Sequence, residues 1–363
     1  MAFISFKPNL HFNTILYTGN GTAIGSGGQA ITGVGFSADL TWLKERSSTS
    51  GHHLIDTARG ATKKLSSDST AVESTNSETI ASWQSDGFTV GDAGGVNENS
   101  QTYVAWNWKM GTTSGLSGGT ITPSAYTINT TTKCGAYAYT GNGTLGATIP
   151  HGLGVKPAFV IIKPRDLTDL WAVGHQHINM AGDKYLRLNE VNGVYSAGAL
   201  FNSTNINDST TVIKVGDNAA TNQNTKLYIM YVFAETNGFS RFGQYQGTGS
   251  ATVTPSIFCG FKPSMLMIKQ SDGSGDWYIF DNKRETLQGD ANSKSINPND
   301  NNIRGNKNEA ETTSGNFDID LISTGFTVRC TNTEINGSGG HYIYAAFAEY
   351  PFIGSNSNPG KGG

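Results

Sequence analysis

The sequence predicts an all-β protein built as three tandem jelly-roll-like antiparallel β-sandwich units. Three observations predict it. Aromatic and β-branched runs of strand length close three stretches of the chain: Tyr103-Val-Ala-Trp106-Asn-Trp108, Tyr228-Ile-Met-Tyr231-Val-Phe233 and Tyr342-Ile-Tyr344-Ala-Ala-Phe347. Each run is apolar on both faces, as a strand buried inside a sandwich must be. The runs return at intervals of about 120 residues, too long for a solenoid repeat and suited to a small β domain. Only 15% of residues are charged and 46 are glycine, where an average domain is about 25% charged. Short strands joined by polar turns give that balance, whereas helices need more Ala, Leu, Glu and Lys.

Along the 363 residues this reading gives an N-terminal arm (1–12), a first unit (13–110), a linker (111–132), a second unit (133–235), a third unit (236–352) and a flexible tail (353–363). The linker is rich in Gly, Ser and Thr and has room for one strand. The first strand, through Ile15 and Tyr17, runs into Thr18-Gly-Asn-Gly21. The same turn follows Tyr139 and, loosely, Tyr245. Asn-Gly after a strand is a turn signal, because both residues tolerate positive φ. No helical pattern follows, so a phosphate loop is disfavoured.

A second shared strand ends on a lysine in each unit: Lys44, Lys163 and Lys269. Pro157 and Pro263 are read as opening two of these strands, where proline costs no ladder bond. A lysine at a strand end reads as a solvated residue. Twelve positions on come Asp56, His175 and Asp281, with Arg59 and Arg284 three further on and Ile178 in the second unit. Trp171 and Trp277 stand four residues before this position, where the first unit has His52. Glu73 and Glu311 then occupy matching places, fifteen residues before the phenylalanines of Ser85-Asp-Gly-Phe88 and Ser323-Thr-Gly-Phe326. The Asn-rich insertion Asn292–Asn308 reads as a surface loop.

Several function classes are excluded or weakened. With a net charge of −3 and no basic cluster, phosphate neutralisation, and so nucleic-acid binding, is not expected. No run of 18 apolar residues argues for membrane insertion, and Met1 to Asn9 lacks the pattern of a secretory signal. Cys134, Cys259 and Cys330 read as buried thiols, with a Cys259–Cys330 bridge left open. His175 and His177 lie two apart, as metal ligands on a strand would, but no third ligand stands nearby, so neither a metal nor another cofactor is expected. The carboxylates Asp56 with Glu73, and Asp281 with Glu311, are the recurring pairs a glycosidase could use. Pairing of each aspartate with Arg59 or Arg284 is the structural alternative. Trp83, without a counterpart in the other units, is the candidate platform for a glycan.

The strings Asn13-Thr-Ile-Leu-Tyr17-Thr-Gly-Asn-Gly-Thr22, Asp56-Thr-Ala-Arg59-Gly-Ala-Thr-Lys63, Ser85-Asp-Gly-Phe88-Thr-Val-Gly91 and Tyr103-Val-Ala-Trp106-Asn-Trp108-Lys109, with Tyr342 to Phe352, resemble a family of virion-associated proteins of marine tailed phages, cyanophages included. The resemblance covers about residues 11–352. It implies concanavalin-like jelly-roll units and a structural or fibre role, and carries no catalytic residues. The second unit departs from it, lacking Asp-x-x-Arg and Gly-Phe-Thr-Val. The expectation is a non-enzymatic component of a phage virion surface, a tail fibre, spike or appendage subunit or a head decoration, made in the host cytoplasm. Its expected partners are other virion proteins and copies of itself, a trimer among the arrangements. A glycan-binding adhesin using Trp83 and Asn292–Asn308 and a glycan-degrading enzyme are the alternatives. The three units could stand around a pseudo-threefold axis or as beads in a line.

Overall fold

The computed structural model describes residues 6–351 except 112, 179–182, 197, 203–204, 285–299 and 314–315. The chain is all-β, with antiparallel pairing throughout. Among the described residues helix is confined to short turns, including Gly94–Asn97, Ala219–Asn222 and Thr333–Asn336.

Three main sheets share one strand order: opening strand, closing strand, lysine strand, aspartate strand. In the first these are Phe12–Thr18, Thr102–Trp108, Leu40–Glu45 and His53–Asp56. In the second they are Cys134–Thr140, Leu227–Phe233, Phe159–Pro164 and Ala172–His175. In the third they are Ser240–Gln246, His341–Pro351, Phe261–Gln270 and Tyr278–Asp281. Ala125–Asn129, inside the stretch read as a linker, adds an edge strand to the second sheet. Pro263 lies within its strand, not at its start, and the register slips on either side of it. A bulge is where a sheet tolerates the missing donor.

A smaller sheet covers the outer face of each main sheet. Gln29–Thr32, Gly87–Val90 and Ile80–Gln84 form the first, and Ser256–Phe258, Gly325–Val328 and Ile319–Ile322 the third. Ala147–Pro150 and Val212–Val215 form the second. Strand alternation then divides each closing strand between two cores. Tyr103 and Ala105 face the small sheet with Ile31, Phe88 and Val90. Val104, Trp106 and Trp108 face the other way, into a core shared by all three main sheets.

That shared core explains why the closing strands are apolar on both faces. Trp108, Phe233 and Phe347, each from a closing strand, meet at ring separations of 5.4, 5.5 and 6.1 Å. Leu40, Phe159 and Met265 pair with them across the ladders and converge on the same point. The inner faces therefore pack around a pseudo-threefold axis, not as beads in a line.

The described part of the stretch read as a surface loop, 300–308, corrects that reading; residues 292–299 lie outside the described ones. Asn301–Arg304 is a strand beside Tyr278–Asp281. Asn301, Asn302, Ile303 and Asn306 are buried. Polar side chains that look solvated in sequence are here hydrogen-bonded, Asn301 to the Arg284 carbonyl and Asn306 to Asp276. The tail 353–363 also lies outside the described residues. All three cysteines are free and buried.

Candidate functional site

The recurring charged residues meet where one main sheet touches the next. Asp56 ends its strand, and the turn that follows returns Arg59 to it. The Arg59 backbone N–H and its Nε donate to the carboxylate at 2.9 and 2.6 Å. Both side chains are fully buried. Arg59 also donates to the Leu54 carbonyl and to Glu73. The network then leaves the first sheet. The hydroxyl of Tyr231, on the second closing strand, donates to Asp56 at 2.7 Å. Arg165 of the second sheet forks onto Glu73 with two bonds of 2.9 Å. Burial alone would raise the Glu73 pKa; the hydrogen bonds of Arg165 and the charges of Arg59 and Arg165 reverse this and hold it below its ordinary value.

The junction between the third and first sheets repeats this arrangement. Arg284 donates to Asp281 at 2.6 Å and to Glu311 at 2.9 Å. Trp106 of the first closing strand donates its indole N–H to Asp281 at 3.0 Å. Arg46 of the first sheet forks onto Glu311 at 3.0 and 2.8 Å. Glu311 is likewise held below its ordinary pKa, burial being outweighed by Arg46 and Arg284.

The junction between the second and third sheets keeps the backbone scheme and loses the charges. The Val194 N–H donates to the Ser271 carbonyl at 2.8 Å, as Glu73 does to Arg165 and Glu311 to Arg46. Those bonds align Val194 with the glutamates and Ser271 with the outer arginines. Ile178 stands for Arg59, and His175 for Asp56. His175 is fully buried, its pKa pulled down to about 3 by burial. Its neutral ring accepts from the His177 N–H at Nδ1 and donates from Nε2 to the Tyr344 carbonyl of the third closing strand, 3.2 Å away. His177, in the following turn, is exposed. Among the described residues no three ligating side chains cluster as a metal site. A cleft of about 740 Å³ opens at this third junction, lined by Ile178, Val194, Ser271 and polar neighbours.

The tryptophans before the aspartate position close the same ring in the opposite direction. Trp171 donates to the Ser66 and Ser69 carbonyls of the first sheet's loops. Trp277 donates to the Arg187 carbonyl, on the second sheet's strand Lys184–Arg187. In the first sheet Trp42 donates to His52, whose other nitrogen reaches the Arg304 and Lys307 carbonyls. Every junction thus has a ring N–H contact to backbone carbonyls of this kind.

The three strand-end lysines correct the reading of solvated residues. Lys44, Lys163 and Lys269 are fully buried. Their ammonium groups donate to carbonyls: Lys44 to Glu45, Lys163 to Pro164 and Leu167, Lys269 to Val191 and Gly275. Burial brings each pKa down to about 8. Trp83 is half-buried against the core between the first main sheet and its small partner. The other tryptophans are buried.

A family profile described as a domain of unknown function, DUF7483, matches residues 7–351. The chain belongs to this family. Comparison with curated proteins and with solved structures gave no match. The matched residues span all three main sheets and the junctions between them.

Sequence reasoning missed the partners across the junctions, Tyr231, Arg165, Arg46 and the Trp106 indole, because Arg46 and Arg165 sit in turns and have no basic counterpart in the third unit. It also missed Asn97, Asn222 and Asn336, each six residues before a closing-strand tyrosine. Each receives a hydrogen bond from the turn after the opening strand: Asn20 to Asn97, Asn142 to Asn222, Thr248 to Asn336. That equal spacing was the available signal.

Proposed function

We propose that this protein is a non-enzymatic structural component of a tailed-phage virion surface, a tail fibre, spike or appendage subunit or a head decoration. The observation that carries the reading is where the recurring residues are spent. Asp56, Arg59 and Glu73, and Asp281, Arg284 and Glu311, hold one sheet against the next. A glycosidase acid needs a raised pKa and a partner carboxylate facing a cleft. Here an arginine bridges each pair and the glutamates are shifted the other way.

The sequence motifs support the virion assignment through their resemblance to phage structural proteins. The polar, weakly charged surface suits assembly with other virion proteins and with further copies of the chain. Val253 and Phe258 are 71% and 72% exposed beside one small sheet and offer apolar contacts for it. Neither nucleic acid nor membrane insertion enters this reading. No helix among the described residues is long and apolar enough to cross a bilayer.

The test is mass spectrometry and antibody labelling of purified particles of a phage carrying the gene. The chain is expected in the particle at a fixed copy number and on its outside. Its absence from particles would overturn the assignment, and release of reducing ends from host polysaccharide by the pure protein would overturn the non-enzymatic part.

A further inference from the structure

We propose that the cleft at the junction of the second and third main sheets is a saccharide-binding site. Its position is the first argument. At the two sister junctions the same place is filled by Asp-Arg-Glu-Arg networks. Here His175, Ile178, Val194 and Ser271 replace them, the backbone bond between Val194 and Ser271 is kept, and about 740 Å³ is left open. A departure from internal symmetry that removes four charges and keeps the scaffold makes a pocket without dismantling the junction. The volume falls in the range of about 300–1,000 Å³ typical of ligand sites.

The lining chemistry selects the ligand class. Gln244, Asn192 and Ser271 offer neutral donors and acceptors, and Ile178, Val194 and the Tyr195 ring offer apolar faces. A sugar ring presents the same mixture of hydroxyls and C–H faces. Tyr195 is held in place: its hydroxyl donates to Glu190 and accepts from Asn192, and the Arg187 guanidinium lies 3.9 Å from its ring centre. A fixed aromatic side chain loses little freedom on binding. The backbone is fitted too. A Cβ on Gly193 would meet the Ser271 carbonyl at 2.6 Å, so this wall requires glycine.

Other ligands fit less well. A phosphate-rich ligand would need more cations than Lys184 and the histidines, one of which, His341, is already paired with Asp272 at 2.9 Å. A lipid would need more apolar wall than two aliphatic side chains supply. Asp272 is the single carboxylate on the described lining, so the site binds and does not hydrolyse, since hydrolysis takes two. The inference is independent of where the protein sits on a particle.

The test is an array of bacterial capsular and lipopolysaccharide oligosaccharides with plant and algal glucans and uronates, followed by calorimetry on each hit. The wild-type chain is expected to bind a restricted set. Gln244→Ala is expected to weaken binding at least tenfold with melting nearly unchanged, and Tyr195→Ala to weaken it as far with some loss of stability from its contacts with Glu190, Asn192 and Arg187, while Trp83→Ala leaves binding as it was. Rebuilding the sister network with His175→Asp, Ile178→Arg, Val194→Glu and Ser271→Arg is expected to abolish it. If that fourfold variant fails to fold, Gln244→Ala, at an exposed position, decides alone. No wild-type binding to any array member, or binding that survives Gln244→Ala, would overturn the proposal.

Discussion

Lys44, Lys163 and Lys269 carry a cost that depends on pH. An ammonium taken out of water loses hydration that one carbonyl at Lys44, or two at Lys163 and Lys269, only partly replace. The folded pKa of Lys269 is about 8, against an ordinary 10.5. Between those values the unfolded chain binds more protons than the folded one, so stability rises with pH across that window. A shift of this size is worth about 3 kcal/mol per lysine. Lys269→Met removes both the charge and its two hydrogen bonds, so its effect at pH 7 is a small difference of opposing terms. The gain between pH 7.5 and 10 is the clean readout. It should shrink by about 2 kcal/mol relative to wild type in denaturant titrations at the two pH values; an unchanged gain would mean that the amine is hydrated. Arg59 poses the opposite case. Arg59→Ala leaves Asp56 buried with Tyr231 as its remaining side-chain partner, and should cost about 3–5 kcal/mol. Asp56→Asn with Arg59→Met should cost less than Arg59→Ala alone, because no charge is then orphaned. The His175 and Ile178 junction already shows that the fold accommodates an uncharged version. Equal losses in urea titration would refute this account of the pair.

At the scale of elements, each closing-strand tyrosine fastens a one-turn helix. Tyr228 accepts from the Gln223 N–H and donates to the Ala219 carbonyl, both at 2.7 Å. Tyr103 and Tyr342 do the same for Gly94–Asn97 and Thr333–Asn336. A stacked tyrosine on the neighbouring opening strand, 5.0 Å away in each case, holds the ring in place. The turn beyond it takes positive φ at Gly21, Gly143 and Gly249, a conformation glycine adopts without steric cost. Tyr228→Phe should leave a partly buried N–H and carbonyl without this partner, costing about 1 kcal/mol. Amide exchange should accelerate at 219–223 ahead of the strands; uniform acceleration would show that the helix is not a separate unit. These closing strands were readable in the sequence because an unbroken run of aromatic and β-branched side chains, apolar on both faces, leaves a visible pattern. The tyrosine latch was not, because a hydroxyl bonding to backbone leaves no mark in the residues it bonds. Burial of the lysines was hidden for the same reason: their partners are carbonyls. The third-junction cleft was legible in part: the missing Asp-x-x-Arg of the second unit, with Ile178 in place of the arginine, stands in the sequence, whereas the places of Val194 and Ser271 emerge only from the backbone bond between them.

For the whole molecule the decisive feature is that no main sheet owns its inner core. Trp108, Phe233 and Phe347 complete one another, so removing one opens a surface on all three sheets. The junctions differ in how they respond to acid. The depressed pKa values of Glu73 and Glu311 mean that their contribution is present above the ordinary carboxylate value of 4.5 and is lost as pH falls through the folded values. The third junction is acid-sensitive through a different group: burial holds the folded pKa of His175 at about 3 against an ordinary 6.5, so the unfolded chain takes up that proton first and stability falls as pH drops below 6.5. Acidification should therefore raise amide exchange first, from about pH 6 downward, at the junctions that hold the buried neutral His175 and His52, and only near and below 4.5 where the first sheet meets the second through Glu73; the reverse order would refute this account. A core substitution should behave differently. Phe233→Ala deletes a ring from the centre of the molecule and should cost about 3–5 kcal/mol. Because its neighbours belong to all three sheets, protection factors should fall together in Thr102–Trp108, Leu227–Phe233 and the described centre of His341–Pro351, and thermal unfolding should remain one cooperative transition. A loss of protection confined to the second sheet would mean that the sandwiches fold as separate bodies, and the shared core would then be a contact between finished domains, not the reason they are finished.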